Sequence, residues 1–548
     1  MEKQWVNLNK KPTDLSIENI LRNRGIKNLK HFLNPLPSDF IPLSKLKRIF
    51  EAAEIIIKGI KENKKFTIFY DCDLDGTAAG TIMRKYLLNF TPNVDIAYSI
   101  GKEHGLSSIN LDNIIQNTDI LIAVDSSTGN HKEQDYLKQN GVEVIIYDHH
   151  DEPNNQNVCI VNSQFEDYPN KQLSGAGVVW KGCLAIDSLM KTKYALNYVD
   201  LAAAGILADV MDVGESYMEN RLIITMGFKH LVNVGLKTAI GTYDFNSTSI
   251  LFSVAPLVNA AIRMRENKIA IDFLFEEEKK QSKKLLKKLK EIKEKQNKLV
   301  DISMINLEFQ MKQNNSENKK VSFGFVENKG IAGVIATKVC SKFDKPAIVL
   351  SYPNPAKDFD KYIGSLRSNI DFKTIVNNTK LAKSQGHERA AGIEIKKENL
   401  EKLLDTLEQK LKNKEFKKVD KFDLLIKAEF LTLNLIKQIE KINRLTGKNF
   451  QPINVVLENV VPVDFTIMIK KHIKFNFRDI EFVYWNSIDK IQDFKTTCSG
   501  LYRSLSVMGI PQVSYFRGRE KKQIMIQDYK DVKDNFEFLK GYTTGDIL

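Results

Sequence analysis

Three runs of apolar, mostly β-branched or aromatic residues in the first part of the chain each end abruptly at an aspartate. The runs are FTIFY before Asp71, ILIAV before Asp125 and VEVIIY before Asp148. Their length, and the helix-length stretches between them, predict buried parallel strands of an α/β sheet. Because such sheets bind ligands just beyond the carboxyl ends of their strands, we expect the three aspartates to meet in one crevice.

Further ligand-forming side chains follow these aspartates directly. Asp73 and Asp75 share the turn DCDLDG with Asp71, and the third run continues as Asp-His-His-Asp over 148–151. A single aspartate after a strand is more often a helix N-cap or a turn residue, but capping does not require such repetition. Carboxylates held close together repel one another unless cations neutralise them, and one imidazole among oxygen ligands suits a hard or borderline divalent metal. The pattern therefore indicates a metal site.

Asp209 adds another acidic position, at the end of the Ala-rich helical pattern YVDLAAAGILADVMDV. It is either a helix-end residue or a further metal ligand. The segment before it is too small and apolar for a surface helix, and packing beneath the sheet would bring Asp209 into the crevice.

The hydrophobic patterning divides the chain into five regions. Strands alternate with helices in two of them, as in α/β domains, and the second of these contains the predicted strands VSFGFVEN, AIVLSY and GIEIKK. The last region has alternating segments such as DFTIMIKKHIKFNFRD and KQIMIQDY, which are typical of antiparallel β-structure. The predicted regions are a helical N-terminal region (1–50), a catalytic α/β domain with a parallel sheet (51–270), a linker helix (271–305), a second, smaller α/β domain (306–412) and a β-rich C-terminal domain (420–548).

The linker and the C-terminal domain each leave two interpretations open. Apolar positions from Leu285 to Leu299 follow spacings of four, three and seven, which predicts a long amphipathic helix whose many lysines form either a solvated face or part of a nucleic-acid channel. In the C-terminal domain, aromatic residues interleave with basic ones and form either core or a stacking platform for single-stranded bases. The aromatic residues are Phe475, Phe477, Tyr484, Trp485 and Tyr515, and the basic ones are Lys474, Arg478 and Arg517.

Composition indicates which kind of molecule the protein binds and in which cellular compartment we expect it. The 548 residues suffice for several domains, and 81 Lys and Arg against 68 Asp and Glu give a formal net charge of +13. Because the proposed metal site is acidic, the basic excess lies elsewhere, as expected for a protein that binds an anionic polymer. The five cysteines, including Cys72 and Cys498, are scattered without a CxxC pair, which excludes a disulfide framework and a structural zinc site. With no apolar stretch of membrane-spanning length and no signal peptide, we expect a cytoplasmic protein that does not bind membranes.

Four motifs resemble those of the DHH phosphoesterase superfamily, in order and approximate spacing: DCDLDG, AVDSS, YDHH and AGILADV. The segments LRNRGI, FLNP, LSGAGVVW, ENR, VNAAIRM, GIAGVIATKV, GSLRS and GHERAAG resemble the RecJ branch, the single-strand-specific exonucleases. The resemblance covers roughly residues 18–400 and is looser beyond. It implies a DHH catalytic domain, a DHH-associated substrate-binding domain and a C-terminal domain that resembles an oligonucleotide-binding (OB) barrel.

The resemblance also implies a two-metal site. The residues that would hold two Mn²⁺ or Mg²⁺ ions are Asp73, Asp75, Asp125, His149 and Asp209. Asp73 and Asp75 would each hold one ion, Asp125 would bridge the two, and His149 and Asp209 would complete the second. Asp71 and Asp148 would orient these ligands, and His150 would lie near the scissile phosphate. Two such cations would activate water for attack on a phosphodiester without a separate general base.

The second domain and its surroundings would bind the substrate. GHERAAG combines glycines with basic side chains, which suits phosphate binding, although a tight turn before GIEIKK is an equal alternative. The residues implied in substrate binding are Arg263, Ser365, Arg367, Gly386, His387 and Arg389, with Ser365 and Arg367 on a 5′-phosphate. Two departures from the family are Ser384 and Gln385 in place of glycines and Lys102 in place of an arginine; Lys102 and Asn259 are further candidate substrate contacts.

These features predict an exonuclease that degrades single-stranded DNA from its 5′ end and releases mononucleotides, in DNA recombination, repair or replication. One alternative is a DHH phosphodiesterase on short oligonucleotides or cyclic dinucleotides. The other, of a different class, is a non-catalytic replication scaffold or single-stranded-DNA-binding protein. We further expect a monomer that works beside a helicase or a single-strand-binding protein.

Overall fold

The computed structural model describes residues 4–11, 13–352, 360–416, 419–469, 471–494, 504–516 and 518–531. Arg517 and Cys498 lie outside the described residues. Within these ranges the helices are too short or too polar to cross a lipid bilayer.

The N-terminal region contains the strand β1 (Gln4–Asn7) and the helices α1 (Ile17–Asn23) and α2 (Leu29–Leu33). β1 pairs in parallel with a strand at Val419–Phe422, at the start of the C-terminal domain. Close to this pairing, the Arg24 guanidinium donates to both carboxylate oxygens of Asp423 at 2.6 and 2.7 Å. The N-terminal segment is therefore bound to the start of the C-terminal domain.

The predicted parallel sheet is present, and its strand order places a crevice at the acidic positions. Its strands are β2 (Phe66–Tyr70), β3 (Val94–Tyr98), β4 (Ile120–Val124), β5 (Glu143–Asp148) and β6 (Cys159–Asn162). All neighbours are parallel, in the order β3-β2-β4-β5-β6. The chain passes to one side of β2 and then returns to the other, so the topological switch lies between β2 and β4. β2 and β4 are buried at every residue, which explains their continuous apolar sequences.

Helices enclose this sheet and form the floor of the crevice. They are α3 (Ile49–Lys61), α4 (Leu74–Leu87), α5 (Leu111–Asn117), α6 (His131–Gln139), α7 (Gly175–Met190), α8 (Val199–Ala208), α9 (Met218–Lys229), α10 (Val234–Ile240), α11 (Ser247–Ser249), α12 (Ala255–Arg263) and α13 (Asn267–Phe275). α8 corresponds to the Ala-rich pattern and ends at Asp209, as predicted. Its small, fully buried residues let α4 and α7 pack closely against it.

The linker helix α14 (Lys279–Gln313) has the predicted length but lies eight residues further along the chain than its predicted span of 271–305. Residues 271–275 belong to α13, and residues 306–313, predicted to open the second domain, are still helical. The reason is that Leu307 and Met311 continue the apolar spacing and are fully buried against the second domain. No helix-stopping residue precedes Asn314.

The second domain is a mixed sheet in the order β10-β11-β9-β8-β7. Its strands are β7 (Ser322–Val326), β8 (Ala347–Ser351), β9 (Lys361–Arg367), β10 (Ala382–His387) and β11 (Ala390–Lys396), and its helices are α15 (Ala332–Phe343), α16 (Phe372–Asn377) and α17 (Leu400–Leu411). β7 and β8 are parallel and the other pairs antiparallel. The predicted strands VSFGFVEN, AIVLSY and GIEIKK correspond to β7, β8 and β11.

The C-terminal domain is a mixed sheet in the order β13-β14-β18-β19-β17-β16-β15. After β12 (Val419–Phe422), its strands are β13 (Leu424–Ile426), β14 (Val455–Val460), β15 (Val463–Met468), β16 (His472–Phe477), β17 (Ile480–Tyr484), β18 (Leu505–Phe516) and β19 (Arg519–Asp531), with the helices α18 (Leu433–Asn443) and α19 (Ile491–Phe494). The prediction of antiparallel structure is wrong for two pairs, β13–β14 and β17–β19, which are parallel. Phe475 is a core residue stacked on Phe482, whereas Trp485 and Tyr515 are exposed.

Candidate active site

The strand-ending aspartates meet at the switch between β2 and β4. Asp71 follows β2, Asp125 follows β4, and Asp148 is the last residue of β5. Asp125 has a φ of 60°, in the left-handed region that non-glycine residues seldom adopt. Such strain is concentrated at functional sites, where the surrounding structure stabilises it.

The acidic and imidazole groups form overlapping sets whose ligand atoms lie within 4.8 Å of one another. One set joins Asp71, Asp73 and Asp125, a second joins Asp125, His149 and His150, and a third joins Asp75, His149 and Asp209. Asp125 and His149 each belong to two of these three sets, and Asp71 joins the first of them to a fourth set with Cys72 and His104. The structure therefore brings together every residue that the sequence placed in the metal site, with Asp125 and His149 at its centre.

Asp73 and Asp75 are held at two helix N-termini. Asp73 caps α4, accepting a hydrogen bond from the Gly76 amide at 3.1 Å. The Asp75 carboxylate accepts hydrogen bonds from the Ser174 hydroxyl at 3.0 Å and from the amides of Gly175 and Ala176 at 2.8 and 3.1 Å. Because a helix N-terminus attracts negative charge, the first turn of α7 fixes the orientation of the Asp75 side chain.

Two glycines make room for these carboxylates. A Cβ atom on Gly205 of α8 would lie 2.1 Å from Asp75 Oδ1, and one on Gly175 would lie 2.3 Å from Asp125 Oδ1. Their importance was missed in the sequence analysis, although glycine within the helical segments AGILADV and LSGAGVVW is the signal that could have identified them.

Asp148 orders the loop that carries both histidines. Its carboxylate accepts hydrogen bonds from the amides of His149 at 2.7 Å and Thr128 at 3.1 Å, and from Nδ1 of His150 at 2.8 Å. Burial favours protonation of Asp148, but the hydrogen bond and the charge of His150 outweigh it and hold the pKa of Asp148 well below its usual range. Asp148 thus stays ionised and positions His149 and His150.

The two adjacent histidines have opposite electrostatic environments. Burial, reinforced by the charge of His150, lowers the pKa of His149 to about 4, so its ring is neutral and suited to ligation. Its Nε2 lies 3.1 Å from Asp125 Oδ1 and 3.6 Å from Asp209 Oδ2. Burial opposes protonation of His150 as well, but the hydrogen bond and charge of Asp148 raise its pKa to about 10.

The carboxylates of the cluster destabilise one another's ionised form. Burial and the neighbouring aspartates raise the pKa of Asp125 and Asp209 well above its usual value, and burial and Asp73 raise that of Asp75 to about 6. One buried carboxylate oxygen each of Asp71, Asp125 and Asp209 has no hydrogen-bond partner among the described residues. The His149 ring nitrogen lies near those of Asp125 and Asp209. Oxygen and imidazole donors with this deficit fit divalent cations.

A cleft of about 2630 Å³ opens from the cluster and is lined by three domains. His149, His150 and Asp209 come from the first domain, and Lys448 and Trp485 come from the C-terminal domain. The predicted substrate residues Gly386, His387 and Arg389, in the β10–β11 hairpin, line its opposite side. His387 lines the same cleft as His150 of the metal-site loop, and burial together with the charge of His150 lowers the pKa of His387.

Comparison with known proteins places this architecture in a family. Three family models match in order: the DHH family N-terminal domain over 65–206, the DHHA1 domain over 317–413 and the RecJ OB domain over 422–528. This chain is a RecJ-like member of the DHH superfamily. The family prediction is therefore confirmed, as is the fold class of parallel-sheet DHH domain, DHHA1 domain and OB domain.

Relatives match this RecJ-like chain along most of its length. A putative SPbeta prophage-derived single-strand DNA-specific exonuclease of Bacillus subtilis is 28% identical, covering 94% of this chain and 96% of the relative. Single-stranded-DNA-specific exonuclease RecJ of the same organism is 26% identical, covering 93% and 67%. In fold, the chain is similar to RecJ from Thermus thermophilus in complex with Mn²⁺, with a TM-score of 0.74 at 20% identity, covering 94% and 75%. The Mg²⁺ complex of that protein gives a TM-score of 0.69.

The remaining predicted substrate residues of the RecJ-like chain lie beside the cluster. Arg263 ends α12; burial lowers its pKa and the charge of Asp73 opposes this shift. Burial and the charge of Arg263 lower the pKa of Arg367 on β9, which indicates that the two guanidinium groups are close. A Cβ on Gly333, in the first turn of α15, would lie 3.0 Å from Arg367 Nη2 and 3.3 Å from Ser365 Oγ. Two arginines, a hydroxyl and a helix N-terminus therefore share one location.

His104 is a further site residue that was missed. Its Nδ1 lies 2.8 Å from Asp71 Oδ2 and 3.3 Å from Cys72 Sγ, and the charge of Asp71 raises its pKa. The imidazole in YSIGKEHGL was the available signal. Lys102 of the same segment is exposed, and Asn259 has a buried Oδ1 without a hydrogen-bond partner among the described residues. Burial and the charge of Asp71 raise the pKa of the Cys72 thiol, which disfavours a reactive thiolate at this position.

Proposed function

We propose that this protein is a metal-dependent exonuclease that degrades single-stranded DNA from its 5′ end and releases mononucleotides. The observation that carries the proposal is the set of overlapping ligand groups centred on Asp125 and His149, at the base of a cleft that three domains line. The names of the Bacillus relatives, which match over nearly the whole of this chain, support single-stranded DNA as the substrate.

The proposed metal ligands are Asp73, Asp75, Asp125, His149 and Asp209, holding two Mn²⁺ or Mg²⁺ ions with Asp125 between them. When bound, the ions activate a water molecule and neutralise charge on the phosphate. The first turn of α7 holds Asp75, Asp148 orients the histidine loop, and His104 holds one oxygen of Asp71. These contacts preorganise the ligands, so that little reorientation accompanies substrate binding.

His150 is proposed to contact the scissile phosphate. Asp148 accepts the hydrogen bond of Nδ1, so Nε2 of the same ring is directed away from this carboxylate. The side chain is half exposed, in the same cleft as His387 and Arg389 of the second domain. A phosphate held between these groups would receive hydrogen bonds from both walls of the cleft.

The preference for the 5′ end of the strand would come from the group formed by Arg263, Ser365 and Arg367. Burial and the charge of Arg263 lower the pKa of Arg367, and neither guanidinium group forms an ion pair with a carboxylate among the described residues, so the two groups favour a bound anion. A terminal 5′-phosphate, with its additional charge, is the anion that we propose, and Lys102 and Asn259 are further candidate contacts. The group lies beside Asp73, so a strand bound there by its 5′ end would be cleaved near that end.

Two other functions are less well supported. A phosphodiesterase of short oligonucleotides needs no third domain along the cleft, yet the C-terminal domain supplies part of the wall here. A non-catalytic scaffold does not need a cluster of carboxylates that destabilise one another in the absence of a cation. A monomer, cooperation with a helicase or single-strand-binding protein, and a role in recombination, repair or replication stay predictions.

The test uses Mn²⁺ with 5′- or 3′-labelled long single strands, duplexes and dinucleotides. The wild-type protein should release labelled mononucleotide at once from the 5′ label, and Asp125→Asn should not. Asp95→Asn, at an exposed site on β3, is the matched control and should behave as wild type. Cleavage of dinucleotides without attack on long strands would replace the proposal by the phosphodiesterase alternative, and binding without any cleavage would favour the scaffold.

A further inference from the structure

Three large aromatic side chains are exposed within the cleft. Tyr243 and Phe252 of the first domain are 75% and 77% exposed, and Trp485 of the C-terminal domain is 50% exposed, and all three line the cleft that contains His149 and Asp209. Isolated exposed aromatic residues need no explanation, but three along one cleft indicate a binding surface.

The backbone around Phe252 holds its ring in the solvent. Residues Ile250–Val254 form a π-helical turn between α11 and α12, and both end residues are fully buried. The turn is therefore anchored on either side of Phe252, while the phenyl ring stays exposed. π-helical turns are rare and occur frequently at functional sites.

The two domains that carry the aromatic residues are docked to each other beside them. The Ser247 amide donates to the Arg444 carbonyl at 2.9 Å, and the Thr446 amide donates to the Ser247 hydroxyl at 3.0 Å. Trp485 packs edge-to-face on His472, with ring centroids 4.5 Å apart. The wall formed by the two domains is thus continuous, and the Trp485 ring is held against it by His472.

Four basic side chains of the cleft, those of Lys171, Lys373, Arg389 and Lys448, lack acidic partners among the described residues. Lys171 and Lys373 donate to backbone carbonyls, and Lys448 donates to the Gln172 side-chain carbonyl at 3.0 Å. Neither these lysines nor Arg389 forms an ion pair among the described residues. Positive charge that is hydrogen-bonded only to neutral oxygens remains available to phosphates.

We propose that Tyr243, Phe252 and Trp485 form a base-stacking track for the single-stranded DNA behind its scissile end. The inference rests on the proposed function, because it takes the strand to enter the cleft from the metal cluster. Aromatic rings stack on any base, and the unpaired lysines neutralise the phosphates between the bases, so the track binds without sequence preference. Duplex DNA, whose bases are stacked on one another, cannot use it.

The test measures binding of fluorescent oligothymidylates of increasing length, by anisotropy, in the full-length Asp125→Asn protein, which does not cleave them. Tyr243→Ala, Phe252→Ala and Trp485→Ala should each raise the Kd for long strands about tenfold. The increase should grow with strand length, and Phe252→Tyr should retain most of the affinity. Phe309→Ala is the matched control, because Phe309 on α14 is 62% exposed and is not among the residues that line the cleft.

Unchanged affinity in all three alanine variants would overturn the track, and so would an equal loss in Phe309→Ala. Hydrolysis of labelled strands by the wild-type protein is measured in parallel. If the wild-type protein cleaves single strands while the alanine variants bind normally, the track alone fails. If the wild-type protein cleaves nothing, the proposed function fails, and the binding series still decides whether the aromatic residues hold a single strand.

Discussion

Replacing Asp125 by asparagine should stabilise the metal-free protein, although it removes the proposed bridging ligand. The Asp125 carboxylate is buried, and its ligand atom lies within 4.8 Å of those of Asp71 and Asp73. At that separation and an effective dielectric constant of about 20, two like charges cost about 3 kcal/mol. Removing one charge should therefore increase the free energy of unfolding by about 3 kcal/mol at neutral or higher pH.

The raised pKa values of Asp75 and Asp125 lead to the same conclusion, that ionised carboxylates destabilise the metal-free protein. A carboxyl whose pKa is raised on folding destabilises the native state above that folded pKa, and the penalty disappears as the pH falls below its usual value. For Asp75, the shift from 3.8 to about 6 corresponds to about 3 kcal/mol at pH 8. Asp125 is shifted in the same direction, by burial and by its neighbours. Bound cations should remove this penalty, which couples metal binding to stability.

The assay is thermal unfolding of wild type, Asp125→Asn and the control Asp95→Asn at pH 8, in EDTA and in excess Mn²⁺. In EDTA, Asp125→Asn should raise the Tm by several degrees, since about 1 kcal/mol corresponds to roughly 2–4 °C in a domain of this size. Mn²⁺ at a hundredfold excess over its Kd should add about 2.7 kcal/mol to the wild type and much less to Asp125→Asn. A lower Tm of the variant in EDTA, or an undiminished response to Mn²⁺, would refute the electrostatic reasoning.

Three further predictions address other parts of the structure. Arg367→Ala should lower kcat/KM about tenfold on 5′-phosphorylated strands and much less on 5′-hydroxyl strands, since about 1.4 kcal/mol of phosphate contact is lost; equal losses on both would make the residue structural. Gly205→Ala should abolish the Mn²⁺-induced rise in Tm, because its Cβ would lie 2.1 Å from Asp75 Oδ1, and a normal response would contradict this packing. Lys181→Met should lower the free energy of unfolding, measured with urea, by about 3 kcal/mol, because it removes the ammonium group 2.5 Å from the buried Glu219 carboxylate and leaves that carboxylate only the neutral donors Tyr168, Asn170 and the Ile41 amide among the described residues; Glu219→Gln in the same chain should recover part of the loss.

The catalytic sheet and its acids could be predicted because both depend on local sequence. Buried parallel strands require continuous apolar runs, and ligand-binding residues of such sheets follow the strand ends, so Asp71, Asp125 and Asp148 are recognisable in the chain itself. Asp209 also lies where its helical pattern ends. The structure adds the separation between these groups, which depends on how closely α8 and α7 approach the crevice.

Other features depend on contacts that local patterns do not encode. The pairing of β1 with β12 joins segments more than 400 residues apart in sequence, and the parallel pairs in the C-terminal sheet depend on strand order. The contact of His104 with Asp71 depends on where the loop after β3 folds back. Aromatic residues in alternating strands also look alike in sequence, and burial alone separates the core residue Phe475 from the exposed Trp485.

The most direct test of the metal site is anomalous diffraction from crystals of the protein grown with Mn²⁺. Two anomalous peaks should lie on either side of the Asp125 carboxylate, one near Asp73 and the other near His149 and Asp209. A single peak remote from Asp125, or none at saturating Mn²⁺, would contradict the two-metal account.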